Sequence, residues 1–189
     1  MAVTTSAELA LGTRAPEFSL PECRGGMVSL ADFRDKTGLV VMFICNHCPF
    51  VRHIRQELAR VATDYMPQGV GFVAINANDW FTYPDDSPAR MVEEAGTYGY
   101  PFPYLYDKGQ STPKAYGAVC TPDIFVFDHN HELVYHGQLD DSRPGNGKPI
   151  TGQDLRAALD ALLAGEEPLE HQTPSIGCSI KWRPGNEPE

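Results

Sequence analysis

Two of the five cysteines, at positions 23, 45, 48, 120 and 178, fall within the tetrapeptide Cys45-Asn46-His47-Cys48. Thiol–disulfide exchange needs an attackable thiolate, a second thiol close enough to displace the bound partner, and a source of stabilisation for negative sulfur. A Cys-x-x-Cys at the start of a helix meets all three needs. Cys45, placed before the first turn, would face unpaired backbone N–H groups and the positive end of the helix dipole, which lower a thiol pKa. It reads as the nucleophile. Cys48, one turn further in and more buried, reads as the resolving thiol that releases the partner and closes a Cys45–Cys48 disulfide. His47 is either an imidazole that stabilises the thiolate and raises the reduction potential, or a solvent-exposed residue at the helix start. The competing chemistry is a zinc or copper site built from both cysteines with His47 or a distant His136. Structural zinc takes four ligands, and the chain has no second Cys-x-x-Cys to complete such a set. No metal and no cofactor are expected.

These residues need a strand before them and a helix after them. Leu39–Cys45 is a continuous apolar, β-branched run of the kind found in a strand buried on both faces. From Pro49 to Met66 the apolar residues Phe50, Ile54, Leu58, Val61 and Tyr65 recur every three or four positions, which predicts an amphipathic helix with Pro49 in its first turn. Val70–Ile75 reads as a second buried strand, so that the unit forms a right-handed parallel crossover and the class is α/β. A polar and aromatic loop, Asn76–Ser87, leads to a helix over Pro88–Tyr98 with Ser87 as N-cap. Short strands are expected at Val28–Leu30 and Phe102–Tyr106, and Ile124–Phe127 with Leu133–His136 reads as a hairpin. Thr151 is expected to cap a last helix with the stripe Leu155, Leu159, Leu162 and Leu163, and Asp154 to complete a capping box. Residues 1–164 would form one domain, and 165–189 a C-terminal tail packing on it.

The chain has 189 residues, which suits one domain at about 150 residues per domain. Fifteen Lys and Arg stand against 25 Asp and Glu, a net charge of −10, which argues against nucleic acid or an anionic membrane surface as partner. The Leu39–Cys45 run is far shorter than the roughly 20 apolar residues that span a bilayer. The first fifteen residues lack a basic segment leading into an apolar one, so a cytoplasmic location is expected. In that reducing compartment a Cys-x-x-Cys is catalytic or metal-binding rather than structural.

The strand–helix–strand unit, the cysteine pair at its first junction, and the closing hairpin and helix together resemble the thioredoxin fold: a central mixed β-sheet flanked by helices. Leu11-Gly12-Thr13-Arg14-Ala15-Pro16-Glu17-Phe18-Ser19-Leu20, with Gly25-Gly26 and Val28-Ser29-Leu30, is similar to the N-terminal extension of the redoxin group, which contains peroxiredoxins and membrane-tethered thiol reductases. Asn46-His47-Cys48-Pro49-Phe50-Val51, Ala74-Ile75-Asn76-Ala77-Asn78-Asp79, Cys120-Thr121-Pro122-Asp123 and Pro174-Ser175-Ile176-Gly177-Cys178 resemble bacterial peroxiredoxin-like thioredoxin family proteins.

That resemblance implies a cis peptide bond between Thr121 and Pro122 facing the active cysteine, with Thr121, Pro122 and His47 shaping the substrate edge. It implies as partners a disulfide-containing protein or a small-molecule thiol or disulfide, together with a reducing partner. The chain departs from both relatives. Thioredoxin carries a tryptophan before its first cysteine and a buried aspartate in the preceding strand, whereas Ile44 and a wholly apolar Leu39–Ile44 stand here. Peroxiredoxins place a threonine three residues and a proline seven residues before the peroxidatic cysteine. If Cys48 took that role, those positions would be Cys45 and Val41. A thiol peroxidase using Cys48 is therefore the alternative, and a redox-silent or metal-binding interaction module the second. Cys120 and Cys178 are candidate additional redox thiols.

Overall fold

A computed structural model describes residues 3–188; residues 1–2 and 189, at the outer ends of the two expected segments, lie outside it. Its elements run β1 (Val3–Thr5), β2 (Ser19–Pro21), β3 (Met27–Ser29), β4 (Gly38–Phe43), α1 (Pro49–Tyr65), β5 (Val70–Asn76), α2 (Pro88–Tyr98), β6 (Tyr104–Tyr106), α3 (Ser111–Tyr116), β7 (Cys120–Thr121), β8 (Asp123–Asp128), β9 (Leu133–Gly137), α4 (Gln153–Leu163) and β10 (Ile176–Ser179).

The five-stranded sheet has the order β6-β5-β4-β8-β9, with β4, β5 and β6 parallel and the β8–β9 hairpin antiparallel. The central strand β4 is buried along its whole length, as a continuous apolar run requires. Its side chains alternate between two cores. Val40 and Met42, with Ile44 beyond, face the layer that holds α1, α2 and α4, while Leu39, Val41 and Phe43 face the N-terminal extension and α3. Burying each such side chain contributes about 1.5–3 kcal/mol, so a polar replacement in β4 is the single change that would most disrupt the sheet.

Helix α1 starts where Pro49 places it. The residue before a proline is excluded from the helical region, and Cys48 accordingly sits at the N-cap in an extended conformation, φ −66° and ψ 123°. Val51, Ile54, Leu58, Val61, Ala62 and Tyr65 form its buried face. Ser87 caps α2 as expected, its hydroxyl accepting from the Arg90 N–H.

Several local expectations need correction. The central strand ends at Phe43, two residues before Cys45. Helix α4 begins at Gln153 with Gly152, not Thr151, at the N-cap. Asp154 makes no capping box; its carboxylate accepts from the Gln138 side-chain amide at 2.6 Å. Helix α3 was not foreseen, because its six residues carry too little periodicity to detect. Strand β10 is the middle strand of a second sheet, ordered β1-β10-β7, so the C-terminal segment joins a sheet as well as packing on one. Among the described residues no helix is long and apolar enough to cross a membrane.

Candidate active site

The β4–β8 register assembles the site. Phe43 lies opposite Asp123 in this antiparallel pairing, so two residues past the end of β4 the chain meets the residue two before Asp123. Those residues are Cys45 and Thr121, and the Cys45 Sγ lies 3.4 Å from the Thr121 Oγ1. The bond between Thr121 and Pro122 is cis, as the resemblance implied. The Cys48 thiol donates to the Thr121 carbonyl oxygen at 3.2 Å. One threonine thus touches both sulfurs.

The site differs from expectation in exposure and polarity. Cys45 is 2% exposed and Cys48 is 0%, so neither thiol stands open to solvent. Burial pushes the Cys45 thiol well above its ordinary pKa, with the Cys48 side chain and the nearby Asp86 charge adding to the effect. The Cys45 S–H bond, against the opposing effect of burial, draws Cys48 down to about 5, with help from Cys178 and the Val51 backbone. Of the two thiols, Cys48 is the one drawn down and Cys45 the one pushed up. The helix start does stabilise a thiolate, but on the N-cap residue itself rather than three residues earlier.

Asp86, in the loop after β5, was missed by the sequence reading. Its carboxylate accepts from the Asn46 backbone N–H at 2.7 Å, from the side-chain amides of Asn78 at 2.9 Å and Asn76 at 3.3 Å, and pairs with His47 Nδ1 at 2.5 Å. Burial raises the Asp86 pKa, but the His47 and Asn78 bonds, the His47 charge and the Asn46 N–H outweigh it and hold the carboxyl below its usual range. The turn between the cysteines is fixed further: Asn46 Nδ2 donates to the Asp85 carbonyl at 2.8 Å, and Asn46 Oδ1 accepts from the Tyr104 hydroxyl at 2.9 Å. His47 stacks on Tyr83 with ring centroids 5.3 Å apart. The long loop thus supplies the wall of the site. The only available signal was its length and its run of Asn and Asp residues, since a contact across 39 positions leaves no local trace.

Cys45, His47 and Asp86 offer ligand atoms all within 4.8 Å of one another. Three donors fall short of a structural zinc set, and both Asp86 oxygens already accept hydrogen bonds. His136 joins none of them; its Nε2 pairs with buried Asp123 at 2.8 Å, behind Pro122. Cys178 contacts Cys48. The Cys120 thiol points to the Pro122 carbonyl at 3.7 Å. Cys23 is partly buried beside Glu22. A cleft bordered by Phe50, Ile54, Pro122, Leu139, Arg143 and Ile176 opens alongside the site.

The family model described as AhpC/TSA family matches residues 11–136. The thiol-disulfide oxidoreductase ResA of Halalkalibacterium halodurans is 28% identical over 123 residues, which cover 65% of this chain and 65% of that relative. The chain therefore aligns with about two thirds of that relative's length. The crystal structure of an uncharacterized conserved protein from Geobacillus kaustophilus is 56% identical, with a TM-score of 0.96 and 98% of each chain covered. The thioredoxin domain of a thiol-disulfide oxidoreductase from Bacteroides vulgatus superposes with a TM-score of 0.59 at 19% identity, covering 69% of this chain and 90% of that one. That last likeness shows the thioredoxin-like fold.

Proposed function

The chain belongs to the AhpC/TSA family, and from that premise we propose that it is a thiol–disulfide oxidoreductase whose working pair is Cys45 and Cys48. The observation that carries this reading is a Cys-x-x-Cys pair with both sulfurs on Thr121, beside a cis-proline. The similarity to a relative named as a thiol-disulfide oxidoreductase supports it.

Once Cys48 has lost the proton that it donates to the Thr121 carbonyl, the pair shares one proton, with the charge on Cys48. As Cys45 Sγ attacks one sulfur of the partner disulfide, it passes its proton to the Cys48 thiolate, and the other partner sulfur departs as a thiolate. Cys48 then gives that proton to the departed thiolate and attacks Cys45 Sγ. The mixed disulfide breaks, the Cys45–Cys48 bond forms, and the second partner sulfur leaves to take a proton from water. The pair is oxidised by two electrons and the partner reduced by two; a reducing dithiol reverses the sequence. The edge bordered by Phe50 and Pro122 is where a partner disulfide would approach. Thr121 and Pro122 shape that edge, while His47 acts through its hydrogen bond with Asp86 rather than as a free surface group. The odd, scattered set of cysteines suits a reducing compartment, the cytoplasm.

Thiol peroxidase chemistry at Cys48 is the second reading, favoured by the lower pKa of that thiol. Against it, Val41 and Cys45 stand where peroxide would be positioned, and Val41 is buried within the sheet. Reaction of the reduced protein with a small disulfide and with hydrogen peroxide, in parallel, separates the two. Faster reaction with the disulfide, ending in a mapped Cys45–Cys48 bond, is expected. Faster reaction with peroxide, leaving a sulfenic acid on Cys48, would overturn it.

A further inference from the structure

Cys178 is placed against the active pair by a strand packed unusually close. In β10, Gly177 approaches the Thr121 carbonyl so nearly that a Cβ there would lie 1.9 Å from the oxygen and 2.5 Å from the carbon. No residue but glycine fits. The next residue, Cys178, pairs with Thr121 on one side and Val3 on the other. The strand is also pinned at its entry, where Ser175 N–H donates to Ser6 Oγ at 3.0 Å and Ser175 Oγ to the Gly137 carbonyl at 2.7 Å. Held there, Cys178 is 3% exposed and lies in the same buried cluster as Cys48, whose thiol sits on the carbonyl of Thr121, the strand partner of Cys178. Thr121 therefore gathers three thiols: Cys45 at its hydroxyl, Cys48 at its carbonyl and Cys178 opposite it on β10.

We propose that Cys178 is a third redox thiol that attacks Cys48 in the oxidised Cys45–Cys48 pair, forming a Cys48–Cys178 disulfide and returning Cys45 to the free thiol. The proposal rests on the Cys45–Cys48 reading above. Cys178 Sγ forms the new bond to Cys48 Sγ, the Cys45–Cys48 bond breaks, and its electron pair leaves on Cys45. The proton lost by Cys178 ends on Cys45, so the step is an isomerisation that needs no external oxidant or reductant. One disulfide is present before and after.

The electrostatics set the order of events. In the reduced protein burial pushes the Cys178 thiol up to about 12, and the Cys48 side chain and its charge add to that. Oxidation of Cys48 removes both Cys48 contributions and leaves that of burial, so the Cys178 thiol is held less strongly in its protonated form once the pair is oxidised. The relay hands the oxidising equivalent from the cleft to β10 and frees Cys45 for another partner while Cys48 is still oxidised.

Disulfide mapping of the full chain tests this. The wild-type protein is equilibrated in glutathione buffers of graded potential, quenched with acid, alkylated and digested. Both Cys45–Cys48 and Cys48–Cys178 peptides are expected. Cys178→Ala should lose the second and keep the first, and Cys45→Ala oxidised with diamide should yield Cys48–Cys178. Wild-type protein that forms Cys45–Cys48 while Cys178 is alkylated at every potential would overturn the relay and leave the dithiol reading intact. Absence of both linkages would overturn the dithiol reading and the relay with it.

Discussion

The carbonyl oxygen of Thr121 accepts a hydrogen bond from the Cys48 thiol at 3.2 Å, while the hydroxyl of the same residue lies 3.4 Å from the Cys45 sulfur. Backbone and side chain of one residue therefore serve different members of the dithiol. Replacing Thr121 by Val keeps the carbonyl and the shape but removes the hydroxyl, which favours the ionised form of Cys45. A hydrogen bond of about 0.5–1.5 kcal/mol translates into exchange slowed roughly threefold to tenfold, read from rates with a small disulfide. An unchanged rate would show that the Thr121 hydroxyl plays no part in activating Cys45.

The reduced pair should titrate near the Cys48 value. Thiolate ultraviolet absorbance is expected to rise by one equivalent as pH passes about 5, and to vanish on oxidation. In Cys45→Ala the principal stabilising bond is gone, so the midpoint should move upward toward the ordinary thiol range. A midpoint that stays put in this variant would separate the Cys48 acidity from its neighbour.

Asp86 gives the acid limb of stability its sign. Its folded pKa is held below the ordinary value, so its contribution is fully present above the unfolded pKa of about 3.9 and is lost as pH falls through the folded value. Asp86→Asn should cost about 1–3 kcal/mol at neutral pH and flatten the loss of stability at low pH, measured by urea midpoints across the acid range. The same change removes a charge that raises the Cys45 pKa, so alkylation of Cys45 should quicken. Slower alkylation with an intact fold would contradict the electrostatic role.

Gly177→Ala tests how closely β10 is held. With its Cβ 1.9 Å from a backbone oxygen, the strand must move away from Thr121, at a cost of about 1–3 kcal/mol for overpacking. Chemical denaturation should show the loss. Wild-type stability in the variant would mean that β10 can shift freely and that Cys178 is not fixed against Cys48.

Much of the frame was readable along the chain. The apolar run of β4, the period of α1, the strand β5 and the β8–β9 hairpin each leave a local pattern, because a strand buried on both faces or a one-sided helix constrains neighbouring residues. The strand–helix junction that carries the Cys-x-x-Cys followed from that pattern, although Cys48, expected one turn further in, is the cap that Pro49 leaves before α1. The cis bond before Pro122 followed from family resemblance. Asp86, the burial of Cys45 and the place of Gly177 were not readable, for each depends on segments far apart in sequence.

By itself the sequence determined which atoms can do chemistry here and the strand–helix junction that carries them. Only the tertiary structure decided that both sulfurs are buried against Thr121 and that a third thiol stands across that residue on β10. The reason is physical: periodicity records what each residue's neighbours along the chain bury. A thiol pKa, by contrast, is set by burial, charges and donors brought from Asp86, Thr121 and Cys178, and no local pattern encodes those.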